Sequence, residues 1–326
     1  MTRGFVWFPK WKLSLNLFIF SPVIGENQSG VINNGLYIFY FQLDRRGRIM
    51  KTLPGKIAVI TGSGRDTGIG KGIAMAFADA GCNVVISDIG VAKDHRFDES
   101  HIGTTDEMNA IVQEAKDKGV DAIAIACDVR RESEVKNLIS STVEHFGAID
   151  IMVNNAGIGY LMEPLVEFKE ESWDAVLEVN LKGAFLCTKH SAINMIAIGN
   201  GGRIINIASQ AAKSGFPFAA AYTASKHGMI GLTRSNAVEL GEHKITVNAV
   251  CPNHITTGLG QWQNEFFSEK MGMNYDDYIQ GIRDRVPLGR VGLVDDIAKA
   301  CIFLASEQAD YITGEALNVS GGEEMH

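Results

Sequence analysis

From residue 56 onward, short apolar runs alternate with amphipathic stretches. Segments 56–61, 83–88, 122–128, 149–154, 203–208, 245–250 and 316–319 are rich in Val, Ile and Ala and lack polar residues at every second position. Such runs predict strands buried on both faces. Between them, 69–80, 132–146, 171–190, 225–241 and 294–304 read as helices. In the first of these, Ile69, Ile73, Ala76, Phe77 and Ala80 repeat at i, i+3, i+4 spacing, a one-sided apolar stripe. Strand–helix alternation along the whole stretch predicts an α/β fold, a doubly wound parallel sheet. There is no internal repeat and no low-complexity tract.

Residues 1–49 break the pattern. They carry Arg3, Lys10, Lys12, Arg45, Arg46 and Arg48 against Glu26 and Asp44, a net +4 in a chain of net −8. Three readings compete. A secretory signal combines a basic start, a short apolar run and a small-residue cleavage site; 13–20 and Val23-Ile24-Gly25 supply these, but leave a long spacer before the first strand. A membrane helix needs about 20 apolar residues, and Asn16, Ser21 and Pro22 interrupt the run. The third reading places the native start at Met50, just before a domain-like opening, with Arg45-Arg46-Gly47-Arg48 as a translated purine-rich ribosome-binding site. The leading expectation is that 1–49 is a non-native or loosely attached extension of one domain spanning 50–326.

The chain has 326 residues, 46% apolar and 21% charged, which excludes wholesale disorder. An acidic balance gives no electrostatic reason to bind nucleic acid or an anionic membrane. Cys82, Cys127, Cys187, Cys251 and Cys301 are odd in number and widely spaced, without CxxC. They read as reduced, mostly buried thiols of a cytoplasmic protein, and no metal site is expected.

Candidate chemistry begins after the first strand. Thr61-Gly62-Ser63-Gly64-Arg65-Asp66-Thr67-Gly68-Ile69-Gly70 opens a helix. Glycines there let the backbone approach a pyrophosphate held at a helix N-terminus. Asp88 ends the next strand, eighteen residues beyond Gly70. A carboxylate at that place binds both ribose hydroxyls and repels a 2′-phosphate, favouring NAD. Further on, Tyr222 and Lys226 at i, i+4 share a helix face. An ammonium beside a phenol lowers the phenol's pKa from about 10, tuning it for acid/base work. Ser209, thirteen residues upstream of Tyr222, ends a strand and can hold a substrate oxygen.

Together with Asn154-Asn155-Ala156-Gly157, this set resembles the short-chain dehydrogenase/reductase family in its ~250-residue, Rossmann-fold form, from about Leu53 to the C-terminus. The resemblance implies Tyr222 as catalytic acid/base. It implies Lys226 on the nicotinamide ribose, Ser209 orienting the substrate, and Asn180 maintaining a proton-relay water. It places Gly62, Gly68, Ile69 and Gly70 at the pyrophosphate, Asp128 and Val129 at adenine, and Asn155, Ala156 and Gly157 beside the adenosine ribose. Pro252, Ile255 and Thr257 fall near the nicotinamide carboxamide. It also implies a homo-oligomer, most often a tetramer.

Three departures stand out. The glycine loop is longer than the family's, so which of Ser63, Gly64, Arg65 and Asp66 meets phosphate stays open, and Arg65 is the one cation able to reach a 2′-phosphate. The usual Pro-Gly after the sixth strand is Pro252-Asn253, followed by His254; Asn tolerates left-handed backbone, so the turn can survive. The interval from Asp88 to Asp128 is longer than usual, and its polar surplus around 92–105 is expected to be a solvated loop. A substrate lid is expected over about 256–286, joining the sixth strand to the last layer. Its aromatics, Trp262, Phe266, Phe267, Tyr275 and Tyr278, either line a pocket or pack the lid on the body, and with Gln261, Gln263 and Asn264 they suit a polyol or sugar, where rings stack and amides bind hydroxyls. The alternatives are a 3-oxoacyl-thioester reductase and, further off, a non-catalytic NAD-binding regulator, which would normally have lost Tyr222 or Lys226.

Overall fold

The computed structural model describes residues 51–93 and 102–325. The readings of 1–49 and of the polar stretch 94–101 lie outside the described residues. Strands β1 (Ile57–Thr61), β2 (Asn83–Asp88), β3 (Ala122–Ala126), β4 (Ile151–Asn154), β5 (Gly202–Ile207), β6 (Ile245–Pro252) and β7 (Ala316–Val319) form one sheet. Its order is β3-β2-β1-β4-β5-β6-β7, and every pairing is parallel. The helices are α1 (Ile69–Asp79), α2 (Thr105–Asp117), α3 (Glu132–Phe146), α4 (Glu170–Leu177), α5 (Gly183–Ile198), α6 (Ala220–Leu240), α7 (Gly258–Lys270), α8 (Tyr275–Arg285) and α9 (Val294–Ala305).

The strands are apolar throughout because both sheet faces are covered. Successive residues of β1 show it. Ala58 and Ile60 pack with Phe77 of α1, Ile111 of α2 and Leu304 of α9. Val59, on the other face, packs with Leu138 of α3, Met195 of α5 and Leu240 of α6. The doubly wound sheet is therefore as expected.

Four local features differ from the periodicity reading. Helix α2 was not expected: polar residues surround its narrow stripe of Met108, Ile111 and Ala115, and a capping box between Thr104 and Glu107 starts it. The helix expected over 171–190 is α4 and α5 joined by a π-helical turn at Glu178–Lys182. Helix α6 starts at Ala220, ahead of the expected 225. The segment expected to be a lid holds α7 and α8, whose Phe267, Tyr278, Ile279 and Ile282 form a small apolar cluster apart from the sheet's two cores.

Strand order reverses between β1 and β4. The βα connections diverge there and leave a crevice at the strands' carboxyl ends, the place where such sheets hold ligands.

Candidate active site

A cavity of about 580 Å³ opens at that crevice and runs from the end of β2 to the lid. Its floor is the glycine loop, locked to the end of β4. Thr61 Oγ1 accepts from the Asn155 and Ala156 amides at 3.1 Å. Asn155 Nδ2 donates to the carbonyls of Thr61 and Gly62, both at 2.9 Å. A Cβ on Gly62 would lie 2.7 Å from Ala156 Cα, and Gly62 has φ +64°. A Cβ on Gly70 would lie 2.3 Å from the Gly62 carbonyl oxygen. Gly70 thus lets α1 approach the loop and does not itself line the cavity, whereas Gly62, Gly68 and Ile69 do. The N-terminus of α1 has no side-chain cap and no acidic residue in its first turn, so its amides suit an anion.

The residues of the longer loop separate in the structure. Ser63 is buried, donating to the Ile60 carbonyl and accepting from the Ser87 amide. Gly64 donates its amide to Asp88 Oδ2 at 3.0 Å. Asp66 turns outward to pair with Lys71. Only Arg65 of these four lines the cavity; its Nη2 lies 3.3 Å from the point a Cβ on Gly258 would take, at the start of α7.

Asp88 is held by three backbone amides, from Gly64, from Ile89 at 2.8 Å and from Gly103 at 3.2 Å. Burial raises its carboxyl pKa, and those amides and the Arg65 charge oppose the rise. Gly103 corrects the solvated-loop expectation for the end of the insertion. Gly90 bridges to Thr104, and Ile102 is buried among Ile158, Ala175 and Val176. These contacts, invisible to composition, bring Ile102 against the cavity.

Asp128 and Val129 line the same cavity. Arg130 Nε and Nη2 grip its two carboxylate oxygens at 2.8 and 2.7 Å, both side chains buried. Burial raises the Asp128 pKa, but the Arg130 hydrogen bonds and charge outweigh it and hold the carboxyl below its usual range. With the carboxylate committed to Arg130, the backbone of 128–129 is what the cavity presents.

Tyr222 and Lys226 lie one turn apart on α6, with Lys226 Nζ 5.6 Å from the phenol ring centre. Lys226 Nζ donates to the Ile207 carbonyl at 2.8 Å, at the end of β5. Ser209, two residues on, accepts from the Ala211 amide at 3.1 Å, and its hydroxyl acts on Tyr222 to lower the phenol's pKa. All three line the cavity. The expected lowering of the phenol pKa is not found. Burial raises Tyr222, opposed by the Ser209 hydrogen bond, and burial brings Lys226 down to about 8. Removing both groups from water disfavours the charged form of each, and burial is the largest cause of both shifts.

Asn180 sits inside the π-helical turn, fully buried. Its Oδ1 accepts from the Ile158 amide at 2.8 Å, and its Nδ2 donates to the Ile158 carbonyl and to Ser225 Oγ. It lies behind the cavity wall, where a Cβ on Gly157 would come within 3.3 Å of Asn180 Oδ1 and 3.7 Å of Lys226 Nζ.

At the lid side, Pro252, Ile255 and Thr257 all face the cavity. Thr257 Oγ1 caps α7 by accepting from the Gly260 amide at 3.0 Å. Asn253 does not take positive φ, so the turn closes without the left-handed residue expected. Of the lid amides expected at the substrate, Gln263 and Asn264 reach the cavity and Gln261 does not. Trp262 instead stacks on Phe266 at 5.5 Å, fastening the lid to the body through Tyr160 and Phe218. Sequence reasoning missed Ile102, Arg130, Tyr160, Gln210 and Glu323 as lining residues, which no motif marks, whereas the lid aromatics Phe267 and Tyr278 do line the cavity.

A family model described as enoyl-(acyl carrier protein) reductase matches residues 62–324. The 3-oxoacyl-[acyl-carrier-protein] reductase FabG of Staphylococcus aureus is 38% identical, over 83% of this chain and 98% of the relative. A short-chain dehydrogenase/reductase of Armillaria gallica is 37% identical, over 82% of this chain and 95% of the relative. The 2-dehydro-3-deoxy-D-gluconate 5-dehydrogenase of Escherichia coli is 36% identical, over 83% and 96%. Among solved structures, an NAD+-bound xylitol dehydrogenase superposes with TM-score 0.75 at 30% identity, over 83% of this chain and 100% of that one. An actinorhodin polyketide ketoreductase variant with NADPH gives 0.74 at 33%, over 83% and 98%.

Proposed function

The chain belongs to the short-chain dehydrogenase/reductase family of oxidoreductases, and from that membership we propose an NAD(H)-dependent enzyme acting on a secondary alcohol or ketone, with a polyol or sugar as substrate. The observation that carries the reading is one cavity lined by Ser209, Tyr222 and Lys226 on one side of the switch point and Asp88 on the other. The cradle fits a dinucleotide. Gly62 and Gly70 leave no room for side chains, α1 presents uncapped amides, and Asp88 lines the same cavity with a carboxylate suited to a ribose diol.

When bound, NAD supplies the hydride acceptor for the alcohol carbon. Tyr222 Oη exchanges the hydroxyl proton with the substrate oxygen, and Ser209 Oγ fixes that oxygen. A raised phenol pKa keeps Tyr222 protonated near neutrality, the form that donates to a carbonyl in reduction. Lys226 is placed to hold the nicotinamide ribose and to stabilise the phenolate that oxidation requires. Asn180 braces this arrangement through Ser225 and Ile158.

A second reading is a 3-oxoacyl-thioester reductase, supported by the likeness to FabG. The polyol reading draws on the relatives named for a sugar acid and for xylitol and on the amides of Gln263 and Asn264 facing the cavity. Nicotinamide absorbance with polyols, sugars and acetoacetyl thioesters, each with NAD(H) and NADP(H), separates them; turnover of thioesters alone would overturn the polyol reading.

We further propose a homo-oligomer. Trp173, Phe185, Ile193 and Ile196 of α4 and α5 are exposed apolar residues suited to a second copy. The small residues Gly228 and Ala237 of α6 pack inside their own chain, Gly228 against Leu181. Light scattering that gave a monomer would overturn the proposal.

A further inference from the structure

The C-terminal tail reaches the substrate end of the cavity. Glu323 Oε1 accepts from Arg285 Nε, at the end of lid helix α8, at 3.0 Å. Its Oε2 accepts from Asn253 Nδ2, on the turn after β6. His254 borders the same cavity and senses both charges of the pair. The next residue, Glu324, accepts from Gln210 Nε2 and Ser214 Oγ, both at 2.7 Å, beyond the loop that carries Ser209.

Glu323 is 14% exposed and Arg285 55%, so the pair faces the cavity without being sealed from it. The guanidinium spends Nε on Glu323 and one Nη1 hydrogen on the Gly281 carbonyl, which leaves N–H groups for a ligand. This patch offers donors and an acceptor side by side, with the two charges offsetting each other. An alkyl chain laid over it would strip water from an ion pair and return no hydrogen bonds, which is costly. A compound bearing several hydroxyls both donates and accepts, and replaces that water bond for bond.

We propose that Glu323, Arg285, Asn253 and His254 form a hydroxyl-recognition subsite, which selects small neutral polyhydroxylated substrates by binding hydroxyls beyond the reacting carbon. The inference rests on the dehydrogenase reading above and names residues responsible for its substrate class.

The test compares kcat/KM for linear polyols (xylitol, ribitol, sorbitol) with that for 2-pentanol, which carries a secondary alcohol and no second hydroxyl. At saturating NAD, the wild type is expected to favour at least one polyol. Glu323→Ala and Arg285→Ala are each expected to lower the polyol-to-2-pentanol ratio of kcat/KM by about ten- to hundredfold, chiefly through KM, the scale of a lost charge-assisted hydrogen bond. If Glu323→Ala does not fold, Glu323→Gln, of the same shape, is expected to shift the ratio in the same direction. Equal losses on both substrate types would reduce the pair to a brace and overturn the subsite, as would an unchanged ratio. A wild type that prefers 2-pentanol overturns the subsite while leaving the dehydrogenase reading in place. Inactivity on all these alcohols and on acetoacetyl thioesters overturns both.

Discussion

The Gly103 amide donates to Asp88 Oδ1 at 3.2 Å, joining the far end of the insertion to the acid that ends β2. A Cβ on Gly103 would lie 2.5 Å from the Gly64 carbonyl carbon, so the two glycine backbones close over the carboxylate together. Asp88 is therefore both the expected reader of the ribose and the fastener of two loops.

Two effects should follow from Asp88→Ala. The preference for NAD(H) over NADP(H) is expected to fall by about 1–3 kcal/mol in kcat/KM, the scale of a lost charge-assisted hydrogen bond. Urea unfolding should also show a loss, because three amides lose their acceptor. Arg65→Ala, whose guanidinium lies by Gly258, is expected to change the preference little. A wild type that favours NADP(H), and loses that preference in Arg65→Ala, would show that Arg65 reads the ribose instead.

Tyr222→Phe removes the proton donor and leaves the ring. Turnover is expected to fall by about 10²–10⁴-fold, the range of general acid–base catalysis. Cofactor affinity measured by calorimetry should change little. Near-normal turnover would overturn the role given to Tyr222.

Lys226 carries a pH signature. Its ammonium pKa drops from 10.5 in the unfolded chain to about 8 in the fold, by burial. Between those values the unfolded chain binds more protons, so this residue makes stability rise with pH from about 8 to about 10.5. Below about 8 the folded protein bears the full cost of a buried charge, on the order of 3 kcal/mol. Lys226→Met removes the charge, and its stability relative to wild type should be higher near pH 7 than near pH 10 by about 2–3 kcal/mol. A pH-independent difference in urea unfolding would refute this.

Arg130 and Asp128 form a buried pair at 2.7 Å. Arg130→Ala leaves the buried carboxylate only the more exposed Arg131, 3.4 Å away, and is expected to cost up to about 3–5 kcal/mol in urea unfolding. Asp128→Asn with Arg130→Met should recover much of that loss, since replacing both partners removes the unpaired charge. No recovery would mean that packing, not charge, sets the cost.

What the sequence determined by itself is local. Runs such as Ile57–Thr61 put apolar side chains on both faces of their strand, and that pattern implies helices on both sides of a parallel sheet. Tyr222 and Lys226 fall on one face because a helix repeats every 3.6 residues. Asp88 is legible as the acid closing the second strand.

Tertiary structure decided the contacts between residues distant in sequence, which no periodicity encodes. The sheet order sets Asp88 and the Ser209–Tyr222 pair on opposite sides of the β1–β4 reversal. The fold brings Gly103 onto Asp88 and the tail residue Glu323 onto Arg285 and Asn253. It also reverses the expected direction for the Tyr222 phenol. Spacing along a helix reports which groups are neighbours, but a pKa depends as well on how much water remains around them, and that is settled only when the chain is packed.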